Sequence, residues 1–122
     1  MVVTVGAAVQ YHLAGRERGS AYVVGSQALI DHVAEAGLRI LNRTPFATRA
    51  DVVVVGAHDG FDYDELRTAA QAVSRGAELI GATRDRTFPM PEGPWPASGA
   101  VLAAIEHASG HTADVVVGKP EP

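Results

Sequence analysis

The stretch VVVVGAHDGFDYDELRTAAQAVSRGAELIGAT, residues 52–83, changes its apolar rhythm twice. Four consecutive valines leave no polar face, which is how a strand covered on both sides reads, as in a parallel sheet. Gly56 ends the run. Asp62 then offers a helix N-cap with Glu65 three residues on, the pattern of a capping box. Leu66, Ala69, Ala70 and Val73 follow at helical spacing, and Gly76 suits the position past a helix end. A second apolar run, AELIGAT, closes the stretch. Strand, helix and strand in that order predict a right-handed crossover between parallel strands.

Working outward, SAYVVG (20–25) and ADVVVG (113–118) have the same doubly apolar character, and LRILN (38–42) is a weaker fifth strand. Ser26 caps a helix carrying Leu29, Ile30 and Val33 on one face and ending near Gly37. Val101, Leu102, Ile105 and Ala108 share a face of another helix that ends before Gly110. Thr4 is placed to cap an N-terminal helix over about residues 5–17. The expected fold is α/β, a mostly parallel open sheet flanked by helices, in one domain over residues 1–122. Residues 83–99 are the one irregular stretch, with four prolines and two glycines. A loop of that length in a compact domain is more often functional than accidental.

The 122 residues are 47% hydrophobic and 20% charged, the balance of an ordinary soluble globular chain. A net charge of −4 and scattered arginines argue against nucleic acid as a partner. No stretch approaches the roughly 20 apolar residues of a membrane helix. There is no basic leader before an apolar run, so the expected compartment is the cytoplasm. With no cysteine there is no disulfide, thiolate nucleophile or Cys-based zinc site.

Open parallel sheets bind ligands outside the carboxyl ends of their strands. Four segments leave those ends: Gly25-Ser26, Gly56 to Asp59, Thr83 to Arg86, and Gly118-Lys119. The glycines match neither a dinucleotide fingerprint nor a phosphate-binding P-loop, and are better explained as turns. His58-Asp59 is a candidate pair, though Asp59-Gly60 suits turn chemistry better. His12, His32, His107 and His111 read as packing or surface residues, and His32 with Glu35 is too little for a metal site. Asp62 and Asp64 have the spacing of a D-x-D pair but open a helix. Arg84 and Arg86, flanking Asp85, could grip an anion in two-point fashion, against the alternative of a solvated loop whose charges pair with each other.

In this order the pieces resemble the NagD-like phosphatases of the haloacid dehalogenase superfamily. The resemblance rests on Phe61, Tyr63 and Leu66 opening the helix after a Val-Gly strand end. It continues through Ala82, Thr83 and Asp85 leaving the next strand, the proline-rich loop, the SGAVLAAIEHASG helix and the closing VVVGKPEP. Ser98-Gly99 departs from the family's glycine-rich helix start. What is matched is the inserted α/β cap. The aspartate nucleophile strand, the Ser/Thr motif and the acidic metal motif of the core have no counterpart here.

The resemblance implies a substrate-specificity cap, with residues 1–19 leading from the core junction and 118–122 starting the return to a core domain. It implies that Lys119 contacts phosphate in the intact parent. Thr83, Arg84, Asp85, Arg86 and Phe88, with His58, would then face a small phosphate ester. It further implies Mg²⁺ in the parent, homodimerisation through the cap, and no hydrolysis by this chain alone. The competing reading is an autonomous flavodoxin-like domain that binds or senses a small ligand. A third, an independent small enzyme, lacks a nucleophile.

Overall fold

The computed structural model describes residues 4–14 and 19–118. Its elements run α1 (Val5–Leu13), β1 (Ser20–Val24), α2 (Gln27–Glu35), β2 (Arg39–Ile40), a 3₁₀ turn (Ala47–Arg49), β3 (Val52–Val55), α3 (Tyr63–Ser74), β4 (Glu78–Gly81), β5 (Thr87–Phe88), β6 (Trp95–Pro96), α4 (Ser98–Ser109) and β7 (Val115–Val116). All five expected strands join one sheet in the order β2-β1-β3-β4-β7, with every pairing parallel.

The four valines of β3 explain the layering. Val52 and Val54 pack with Val9 and Leu13 of α1 and Leu29 and Val33 of α2. Val53 and Val55 face the other way, toward Ala69 and Val73 of α3 and Leu102 and Ile105 of α4. All four are 0% exposed. Each such burial is worth about 1.5–3 kcal/mol, which is why the strand tolerates no polar residue. On the outer side of the first layer, His32 Nδ1 lies 2.7 Å from Gln10 Oε1, joining α2 to α1.

The weaker fifth strand is an edge of two residues, and a side chain extends it. Asn42 Oδ1 accepts from the Val23 N–H at 2.9 Å while its Nδ2 donates to the Val23 carbonyl at 2.8 Å. The amide thus takes the place of a further β2 peptide. Asp51 and Asp114 do similar work at the strand starts: Asp51 Oδ2 accepts from the Ser20 N–H, and Asp114 Oδ2 from the Leu79 N–H.

Three details depart from the expected pattern. α1 ends at Leu13, with Ala14 already extended, and residues 15–17 of the expected helix lie outside the described residues. Leu13 is the last apolar side chain at helical spacing, so no further burial propagates the helix. The capping box forms by half: Asp62 Oδ1 accepts from the Glu65 N–H at 2.9 Å, while the Glu65 side chain turns to His58. The proline-rich stretch contains a short antiparallel hairpin, Phe88 opposite Trp95 and Thr87 opposite Pro96, with Gly93 at φ +128° in its turn. Pro96 has no N–H to donate, which keeps the ladder to two pairs. Among the described residues no helix is long and apolar enough to cross a membrane.

Candidate functional site

With the five strands of the main sheet parallel, the chain leaves β1, β3, β4 and β7 at one rim. The order places the topological switch point between β1 and β3, where open sheets commonly hold ligands. Leu29 packs between the two strand ends there, and open space remains beside it, lined on one side by Gly25, Gln27 and His58 and on the other by Ser26, Gly56 and Ala57. Leu29 Cδ2 sits so close to Gly25 and Gly56 that a Cβ on either would approach it to 2.7 and 2.8 Å. The two glycines seat a leucine.

Another open space lies toward β4 and α4. A cleft of about 500 Å³ is lined by Ala57, His58, Asp59 and Phe61 from the turn after β3, by Phe88, Trp95 and Pro96 of the hairpin, and by Val101. The Phe88 and Trp95 rings meet edge to face, with centroids 6.0 Å apart. The walls are therefore mostly ring and aliphatic surface, with His58 and Asp59 as polar points. Such a surface favours the apolar face of a ligand and orients it through a few polar contacts.

The segment after β4 is fastened to α4. Arg84 grips Glu106 with both terminal guanidinium nitrogens, at 2.9 and 2.8 Å. Glu106 Oε2 also accepts from the Ala113 N–H at 2.7 Å. The Asp85 carbonyl accepts from the Gly99 N–H at 2.8 Å and the Arg86 carbonyl from the Ala97 N–H at 3.0 Å. With the backbone so held, the exposed side chains of Asp85, Arg86 and Phe88 are left for other contacts.

Of the residues expected to meet substrate, His58 and Phe88 come together in the cleft. Thr83 makes a local turn instead, its Oγ1 accepting from the Asp85 N–H at 3.3 Å. Arg84 is committed to Glu106. Arg86 makes no side-chain hydrogen bond or ion pair among the described residues. His58 Nε2 lies 2.8 Å from Glu65 Oε1, so α3 orients the ring. Lys119 lies outside the described residues. Sequence reasoning missed Trp95 and Glu106. The first had a signal, as the single tryptophan of the chain set in the irregular loop. The second had none, since a glutamate on a helix usually faces water.

A second cleft, of about 520 Å³, opens beyond His58 among Tyr22, Asn42, Arg43, Asp62 and Glu65. The Tyr22 phenol is pushed up to about 12, first by burial and then by the Glu65 carboxylate. It stays protonated near neutrality and can donate but not act as a base. Asp62 is spent on the helix cap, and Asp64 pairs with Arg67. Among the described residues no group of three or more His, Asp or Glu is placed to share a metal ion.

Glu106 carries a pH consequence. The Arg84 hydrogen bonds, helped by the Ala113 N–H, hold its carboxyl below the ordinary value of 4.5. A carboxylate depressed by folding contributes stability that is complete above its unfolded value and lost as pH falls through the folded one. Because Arg84 is part exposed, the pair should be worth about 0.5–1 kcal/mol at neutral pH. The Tm gap between wild type and Glu106→Gln is expected to hold steady above pH 5.5 or so and to close in acid below 4.5. A gap that persists unchanged into acid would show that ion pairing is not its source.

The architecture defines an open, doubly wound α/β domain whose accessible features lie at the carboxyl rim of its sheet. Comparison with known proteins narrows this. The D-glycerol 3-phosphate phosphatase of Mycobacterium tuberculosis is 37% identical over 123 aligned positions, which cover 99% of this chain and 34% of that protein. The ribonucleotide monophosphatase NagD of Escherichia coli is 37% identical over 107 positions, 88% of this chain and 39% of the relative. Among solved structures, the glycerol phosphate phosphatase of M. tuberculosis in complex with magnesium superposes with a TM-score of 0.87 at 36% identity, covering 99% of this chain and 36% of the other. A double mutant of the thermostable NPPase from Geobacillus stearothermophilus gives 0.85 at 32% identity, covering 98% and 45%. No protein-family profile matches. The chain belongs with the NagD-like phosphatases of the haloacid dehalogenase superfamily and spans between about a third and two fifths of the length of these curated relatives.

Proposed function

We propose that the chain is the substrate-specificity cap of a NagD-like, Mg²⁺-dependent phosphatase of small phosphate monoesters, working over a separate core domain that supplies the nucleophile. The observation that carries this reading is the segment 84–88, anchored by its backbone to α4 while Asp85, Arg86 and Phe88 remain exposed beside an aromatic-walled cleft. Two further features support it. Val5 and Gly118 neighbour one another: a Cβ on Gly118 would lie 3.5 Å from Val5 Cγ2, so both connections to a core would leave from one side. A relative that matches nearly the whole chain was solved with magnesium, in keeping with a metal held by the core.

In this reading the cap shields the phosphoryl group from water and reads the leaving group. Phe88 and Trp95 offer ring surface, Asp85 accepts from hydroxyl or amine donors, and Arg86 holds a second anion. Arg84 contributes by fixing the loop, His58 by bounding the cleft, and Thr83 by its turn. Lys119 keeps the role the family resemblance implies, contact with the phosphoryl group. A second copy of the chain, paired cap to cap, belongs to the same proposal.

The test is a graft of this chain in place of the matching segment of the M. tuberculosis D-glycerol 3-phosphate phosphatase. Arg86→Ala in that fusion is expected to change relative kcat/KM between anionic and neutral leaving groups by on the order of tenfold, the size of a lost charge-assisted contact. Equal ratios across several esters would overturn the specificity role.

A further inference from the structure

We propose that Glu106 is a positioning residue: acting through Arg84, it holds the 84–88 segment in the conformation that presents Asp85, Arg86 and Phe88 at the rim. The inference rests on the cap reading, since it gives these side chains a ligand to face.

The geometry is specific. Arg84 has a carboxylate next to it in sequence, Asp85, yet its fork reaches 22 residues along the chain to Glu106. Two parallel N–H···O bonds fix orientation as well as distance, which a single contact would not. Glu106 is itself held, because Oε2 accepts from the Ala113 N–H ahead of β7. Its side chain is only 16% exposed, against 42% for Arg84. The half-buried carboxylate is thus the fixed point and the arginine the strut.

Gly99, seven residues earlier and so two turns back along α4, binds the Asp85 carbonyl. One helix therefore secures the segment at both a side chain and a backbone group. An anion at Arg84 would have to compete with Glu106 for the guanidinium. Arg86 is the guanidinium left for a ligand.

A pair this exposed adds little to global stability but can decide local order. That difference is the test. In the 122-residue chain, Glu106→Gln keeps the volume and an acceptor for Ala113 while removing the ionic fork. Amide hydrogen exchange at Ala97 and Gly99 is expected to quicken about tenfold, the effect of one charge-assisted hydrogen bond. The β3 amides should quicken far less, by no more than the few-fold that the small global loss of this variant allows, and the urea midpoint should fall only slightly. Relaxation of the single indole N–H, on Trp95, should report faster hairpin motion. Arg84→Lys, which keeps charge but not the fork, is expected to fall between.

Unchanged exchange at Ala97 and Gly99, or a uniform rise that includes β3, would overturn the inference. In the grafted enzyme, Glu106→Gln should shift leaving-group preference in the same direction as Arg86→Ala. If Arg86→Ala shifts preference and Glu106→Gln does not, the positioning role fails and the cap reading stands. If neither does, the cap reading fails with it.

Discussion

Gly99→Ala is expected to destabilise the fold by about 3 kcal/mol, although alanine is the better helix former by about 1 kcal/mol. A Cβ at Gly99 would lie 2.3 Å from both the carbonyl carbon and oxygen of Arg84 and 2.5 Å from the Asp85 oxygen. Those are backbone atoms, so no side-chain rotation relieves the contact. Either α4 backs away, loosening the buried Leu102 and Ile105, or the segment after β4 shifts and gives up the Gly99–Asp85 and Ala97–Arg86 bonds. Gly110→Ala makes a useful control. Its site has open space and a left-handed backbone at φ +74°, so only the conformational cost of about 1–2 kcal/mol applies. Urea unfolding with unchanged slope would measure both. A Gly99→Ala midpoint equal to that of the Gly110→Ala control would mean that the close approach of α4 carries no load.

The clash also accounts for a departure noted in the sequence. A helix start of the family's type asks for glycine where the helix touches the loop, and this chain keeps one at Gly99 while placing Ser98 before it. Only the residue in contact has to lack a side chain.

What could be read from sequence follows the strength of the local signals. Four valines with no polar alternation require cover on both faces, and the structure supplies it with α1 and α2 on one side and α3 and α4 on the other. Helix ends marked by Ser26, Asp62, Gly37, Gly76 and Gly110 behave as capping chemistry dictates. The hairpin did not announce itself, because prolines at every second or third position mask a two-pair ladder. The site was legible only as a rim. Strand ends located Arg84 and Arg86 together, but nothing local told which guanidinium was already taken. The partner that decides it, Glu106, is brought near only by the packing of α4 on the sheet. Asn42 was hidden for the same reason, since its pairing with Val23 depends on the register of an edge strand.

The largest expected effect concerns turnover. A carboxylate attacking phosphorus must approach an anion, so it needs a cation to offset the charge on the phosphoryl oxygens and a group to assist the leaving oxygen. The described carboxylates are mostly committed elsewhere. Asp51 and Asp114 hold strand starts, Asp62 caps α3, Asp64 pairs with Arg67, Glu65 with His58 and Glu106 with Arg84. Asp59 and Asp85 do face the rim, but neither belongs to a cluster that could share a metal ion. The purified 122-residue chain with Mg²⁺ and p-nitrophenyl phosphate is therefore expected to show no rate above buffer. The same chain joined to a NagD-like core should show an enhancement of about 10⁶-fold or more over the uncatalysed reaction. Mg²⁺-dependent turnover by the chain alone would overturn this division of labour. Asp59→Asn and Asp85→Asn would then show which rim carboxylate had been underestimated, since loss of activity on removing one would place it in the catalytic machinery.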